Sequence, residues 1–108
     1  MSEIPPKVRK QVWERCQRIC EAQLEGCLRQ AREINHIKSR ARGGSNNLEN
    51  LMGTCRYCHR QITDNRPGTE KYRTHGWQPE GKDENGNPII LKDWKGVEWI
   101  LADGLAKK

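Results

Sequence analysis

Cys55-Arg56-Tyr57-Cys58 is a C-x2-C pair, the spacing at which a tight turn points two thiolates at one ion. A closed structural zinc shell takes four ligands, so a second pair must come from upstream, where Cys16, Cys20 and Cys27 stand. Cys16 with Cys20 and Cys20 with Cys27 are both available. If the first helix runs through Cys16, that residue belongs to the helix. Cys20 and Cys27 then bracket a turn containing Gly26 that can fold both thiolates inward. Cys20, Cys27, Cys55 and Cys58 are therefore the expected zinc ligands, and Cys16 the expected buried thiol. Three further residues in or beside this frame can do chemistry: His36, Asn50 and His59. An imidazole titrates near neutrality and can take a proton from water. Taken singly, His36 reads as a hydrogen-bonded strand histidine, Asn50 as a cap, and His59 as a fourth ligand in a Cys3His zinc site. Only their conjunction suggests a reaction centre.

The composition explains why a metal staple is needed. Only 33% of the 108 residues are apolar, and phenylalanine is absent. The mean hydropathy is −1.03. A short chain with so thin a core commonly relies on disulfides or a structural metal. The opening segment MSEIPPKVRKQ is charged and has no apolar signal-type stretch, and no apolar run approaches the roughly 20 residues that cross a membrane. The expected setting is therefore a reducing cytoplasm, where thiols stay free or bind metal. An odd count of five cysteines agrees with metal rather than a disulfide framework.

The net charge of +6 is unevenly spread. Residues 1–75 carry 15 Lys and Arg against 8 Asp and Glu, whereas residues 76–108 carry 5 against 6. The basic portion is suited to a polyanion such as DNA, and guanidinium groups outnumber ammonium groups.

These groups have to be positioned by a small set of elements. Pro5 and Pro6 fit a helix start, and Val8, Val12 and Trp13 recur at helical spacing, which predicts an amphipathic helix from Lys7 to about Arg18. Residues 20–31 read as a compact turn region. Glu33-Ile34-Asn35-His36-Ile37 alternates in polarity and predicts a short strand. Residues 38–47 form a basic, glycine-rich loop with no apolar anchor. Leu48, Leu51 and Met52 predict a second strand, and Cys55 to about Asp64 a knuckle running into a helix that Asn65-Arg66-Pro67-Gly68 ends. Thr69 to His75 reads as a helical turn, with His75 on the surface. Beyond the turn-rich Asp83–Pro88 linker, Ile89-Ile90-Leu91 and Val97–Leu101 flank Asp93-Trp94-Lys95-Gly96, which suggests a terminal β-hairpin. No internal repeat is apparent.

The ordered set of a cysteine pair, EINHIKSRARGG, NNLENLMGTC and CRYCH resembles the HNH endonuclease family from about Val12 to Trp77. Small free-standing phage members look most similar, including a Gly-Trp matched by Gly76-Trp77. The resemblance implies an α+β fold, a zinc-stabilised ββα-metal domain over residues 1–77 with an N-terminal helix, followed by the extension at 78–108. It implies hydrolysis of DNA phosphodiester bonds, by endonuclease or nickase action, with His36 as general base. Asn50 would hold that imidazole through its side-chain or backbone carbonyl, and His59 would bind a catalytic divalent ion such as Mg²⁺, Mn²⁺ or Ni²⁺. Two positions depart from the family. Asn35 stands where a His or Asp usually ligates the metal, and Thr63 stands one turn after His59 where related sequences often carry another His. The catalytic ion is therefore expected to bind loosely without DNA.

Lys38, Arg40 and Arg42 in the glycine loop, with Arg56 and Arg60 on the second helix, are the expected phosphate contacts. Arg9, Arg15 and Arg18 would extend the track. No recognition helix is visible, so low sequence specificity is expected. The competing readings are a zinc-containing DNA-binding module without cleavage and an accessory of phage DNA packaging that docks on terminase proteins. A monomer is expected.

Overall fold

A computed structural model describes residues 4–74 and 77–102 of the chain. The first helix, α1, spans Pro6–Cys16, with Pro5 at its N-cap and prolines supplying the preset φ of the first turn. It ends where Gln17 and Arg18 both take left-handed backbone angles, φ 54° and 61°. Val12 is fully buried and packs with Ile4 and Leu51, while Val8, Trp13, Ile34 and Leu48 cover this cluster. The helical spacing read from the sequence is thus the packing face.

Strands β1 (Glu33–His36) and β2 (Leu51–Thr54) pair antiparallel, with Glu33 opposite Thr54 and His36 opposite Leu51. Helix α2 (Arg56–Thr63) follows β2 after a single residue. The loop between the strands carries two short 3-10 turns, Arg40–Arg42 and Leu48–Asn50, and a third turn covers Glu70–Tyr72. A hairpin of β3 (Ile90–Lys92) and β4 (Glu98–Ile100) follows, so the described residues form two helices and two small antiparallel sheets.

The hairpin is not a loose appendage. Ile89, Leu91 and Leu101 share one core with Cys20, Met52, Cys55, Cys58, Ile62 and Tyr72. Its turn is built by Asp93, whose carboxylate accepts the N–H groups of Lys95 and Val97 and the indole N–H of Trp99. Ten residues earlier, Asp83 accepts the N–H groups of Asn85 and Asn87 in the same manner. Both are D-x-x-G turns with the glycine at positive φ, so one turn design is used twice in this segment.

Arg15 corrects one expectation. It sits on the basic face of α1, yet its guanidinium turns inward and grips Glu21 with two bonds, at 2.8 and 2.7 Å. It also donates to the carbonyls of Leu48 and Leu51, and Glu21 accepts the N–H of Gly53. The two side chains are 7% and 4% exposed, so Arg15 is a structural residue and does not extend a DNA track. The pair ties α1 to β2, and the Glu21 carbonyl accepts Lys92 N–H from the hairpin.

Removing one member of a buried pair leaves the other charge uncompensated. Glu21→Ala is therefore expected to destabilise the protein by about 3–5 kcal/mol in urea unfolding. An apolar double replacement, Arg15→Met with Glu21→Leu, is expected to cost less than either single change.

Candidate functional site

The four cysteines singled out by spacing meet in space. The Sγ atoms of Cys20, Cys27, Cys55 and Cys58 all lie within 4.8 Å of one another, and Cys27 and Cys55 are 3.8 Å apart. A tetrahedral zinc with Zn–S bonds of about 2.3 Å requires sulfurs about 3.8 Å apart, so the donor set can hold that ion. Cys16 lies outside the cluster, fully buried, and burial pushes its thiol up to about 11.

Local backbone shapes the cluster. Cys55 caps α2, its sulfur accepting the N–H of Cys58 at 3.2 Å and of Leu28 at 3.4 Å. Cys27 accepts the N–H of Arg29 at 3.2 Å. Such donors favour sulfur in its charged form, as metal ligation requires. Cys20 is drawn down to about 5, chiefly because Cys58 donates a hydrogen bond to its thiolate. Cys58 is raised for the complementary reason, and burial raises Cys27 to about 11.

A second constellation lies along the seam between β1 and α2. His59 Nδ1 is 2.6 Å from a carboxylate oxygen of Glu33. A carboxylate only accepts, so Nδ1 carries the hydrogen of this bond. Glu33 and Asn35 share one face of β1, spaced about 6.6 Å. His59 and Thr63 are one turn apart on α2, about 6 Å. Glu33 faces His59 across the seam, and Asn35 and Thr63 both border the neighbouring cleft.

Asn35, His36, Thr63, Arg42, Arg73 and Glu84 line a single cleft of about 490 Å³. His59 stands a turn away and does not line it. Asn35 is buried, and its Nδ2 has no hydrogen-bond partner among the described residues. Turning that amide by half a revolution puts an oxygen in the same place. An amide oxygen there is the kind of donor that hard divalent ions prefer.

The imidazole of His36 is held differently from expectation. The hydrogen bonds of Asn50 go elsewhere. Its side chain accepts Lys38 N–H at 2.7 Å and donates to the carbonyls of Lys38 and Ser45, and its backbone carbonyl accepts Ile37 N–H. Asn50 therefore fastens the ends of the glycine loop. The side chain that reaches His36 is Asn46, whose Oδ1 lies 2.8 Å from Nε2. Arg40 Nη1 also approaches that atom, at 3.2 Å. A guanidinium has only donors, so the atom is an oxygen, Nε2 carries the hydrogen, and Nδ1 is the basic nitrogen.

The glycine pair has separate tasks. Gly43 adopts φ 87°, and a Cβ on Gly44 would fall 1.8 Å from the Lys38 carbonyl oxygen. Within the cationic set, Arg40, Arg42, Arg56 and Arg60 are exposed and Lys38 is half-buried. Arg18 lies over the Trp13 ring at 4.3 Å. Arg73, missed from sequence, is held at the cleft by Thr69 Oγ1 at 2.7 Å and Glu84 at 3.5 Å. Glu33 and Asn46 were missed too. The one signal for Glu33 was its position two residues before Asn35. His75 and Gly76 lie outside the described residues.

Residues 14–65 match the family model for HNH endonuclease. The chain carries an HNH domain. That segment holds all four clustered cysteines, His36, Asn50 and His59, and it implies a nuclease-type function with DNA as substrate. No curated protein and no solved structure matches the chain significantly. Among the described residues, no helix is long and apolar enough to cross a membrane.

The purified HNH protein is expected to hold one zinc per chain by elemental analysis. Cys58→Ser should lose the metal and unfold, because thiolate ligation supplies folding free energy. Cys16→Ser should keep both zinc and fold.

Proposed function

We propose that this protein is a metal-dependent DNA endonuclease or nickase in which His36 is the general base. The observation that carries the reading is the contact of His36 Nε2 with the Asn46 side-chain oxygen, which Arg40 also approaches. Asn46 and Arg40 together leave Nδ1 as the nitrogen able to accept a proton, beside a cleft that also contains Arg42 and Arg73.

In the proposed reaction a water molecule loses its proton to His36 Nδ1 as its oxygen attacks phosphorus. The bond from phosphorus to the 3′ oxygen breaks, and that oxygen takes a proton from solvent, leaving a 5′-phosphate and a 3′-hydroxyl. His59 and Asn35 would hold a divalent ion whose chemistry is to neutralise charge on the phosphate and the departing oxygen. Glu33 fixes the His59 ring through Nδ1. Lys38, Arg40 and Arg42 on the loop, and Arg56 and Arg60 on α2, would contact phosphates and position the duplex without reading bases. The four thiolates would hold a structural zinc and take no part in cleavage.

Plasmid DNA incubated with the protein and Mg²⁺, Mn²⁺ or Ni²⁺ should be nicked or cut. A His36→Ala variant that retains zinc should lose about 10²–10⁴-fold in rate, the usual contribution of a general base. Equal binding by both proteins with no cleavage in any metal would leave a DNA-binding module instead. Glu33→Ala should weaken Mn²⁺ binding about 10–100-fold with zinc content unchanged, as measured by paramagnetic resonance titration.

A further inference from the structure

Ser45 has all its polar groups engaged. Its N–H donates to one oxygen of Glu80 at 2.8 Å and its hydroxyl to the other at 2.7 Å. The same hydroxyl oxygen accepts Asn47 N–H at 3.0 Å, and the Ser45 carbonyl accepts from Asn50 at 2.9 Å. Asn46 lies between these two tethered residues, and its side-chain oxygen is the partner of His36 Nε2. The loop is otherwise held by Asn50 at its ends and by backbone bonds to the Ser39 and Arg40 carbonyls. Residues 39–43 are exposed, and two of its residues are glycines, which lose the most backbone freedom on ordering. Glu80 comes from beyond residue 65, outside the segment that matches the family. Both of its oxygens are spent on this one serine, through charge-assisted bonds of normal length.

We propose that Glu80 is a positioning residue for cleavage. It holds Ser45, Ser45 sets the backbone of Asn46, and Asn46 keeps the His36 imidazole in one tautomer and one orientation. The segment after the HNH domain is then part of the reaction centre, reaching it from behind the loop. The proposal rests on the nuclease reading for its kinetic consequence, while its structural consequence can be read without cleavage.

The test uses the zinc-loaded full chain as wild type, Glu80→Ala, Asn46→Ala and the double variant. Nitrogen-15 NMR of the His36 ring should report a single Nε2–H tautomer in the wild type and an averaged ring in both single variants. Nicking of plasmid DNA should lose about 10–100-fold in kcat, the scale of a small misplacement, with KM little changed. The double variant should be no slower than Asn46→Ala alone, because Glu80 acts through Asn46. A merely structural Glu80 would give additive losses. Unchanged His36 signals in Glu80→Ala, or additive losses, would overturn the proposal. Should Glu80→Ala fail to fold, Ser45→Ala removes the hydroxyl donor alone and should shift the His36 ring in the same direction, whereas an unshifted ring would overturn the idea. If the wild type cuts no DNA in any metal, the nuclease reading falls and the ring signals still decide the role of Glu80.

Discussion

The four-thiolate cluster is the constraint on which the rest of the structure depends. It joins two stretches of chain, residues 20–27 and 55–58, that flank β1 and β2. With the four sulfurs on one ion, the start of α2 would be fixed where β2 ends, because Cys55 belongs to the cluster and also caps the helix. The orientation of α2 follows, and with it the placement of His59 against Glu33 on β1. The apolar core is thin and wraps the same sulfurs: Met52, Ile62, Tyr72, Ile89 and Leu91 pack around Cys20, Cys55 and Cys58. Burial here shields the cluster as much as it drives collapse.

A second layer of organisation is polar. The Arg15–Glu21 pair links α1, β2 and the hairpin, and Asn50 and Glu80 close the glycine loop from its two sides. A buried ion pair adds little net stability compared with apolar packing, but it penalises any arrangement that separates its members. In a chain this poor in apolar residues, such pairs specify which packing forms. The loop is a similar case: its backbone is permissive, and directional bonds to side chains select one conformation.

The parts of this design that were legible in the sequence are those where spacing itself is the physics. A C-x2-C pair can aim two sulfurs at one point, so Cys55 and Cys58 stood out, and they meet across the first turn of α2. Gly26 between Cys20 and Cys27 pointed to the second turn. The α1 face and the hairpin were readable from periodicity. What could not be read were partners chosen by the tertiary fold. Glu33 and His59 are 26 residues apart, and Ser45 and Glu80 are 35 apart. Carboxylates are common, and nothing local marks these two. Arg15 looked like its neighbours Arg9 and Arg18 because a helical pattern records the side on which a Cα lies, not where a long side chain ends. Asn46 and Asn50 are both amides near the loop, and only coordinates tell which one reaches His36.

His59 is where the structural and chemical halves of the account meet. It follows Cys58 directly, and a Cys3His shell would take it away from the reaction centre. Its ring instead pairs with Glu33, and four sulfurs complete the cluster without it. X-ray absorption at the zinc edge of the isolated protein tests this division most directly. Four sulfur neighbours at about 2.3 Å and no nitrogen are expected if the four cysteines alone hold the zinc. Three sulfurs and one nitrogen at about 2.0 Å would place His59 on the zinc and contradict that division.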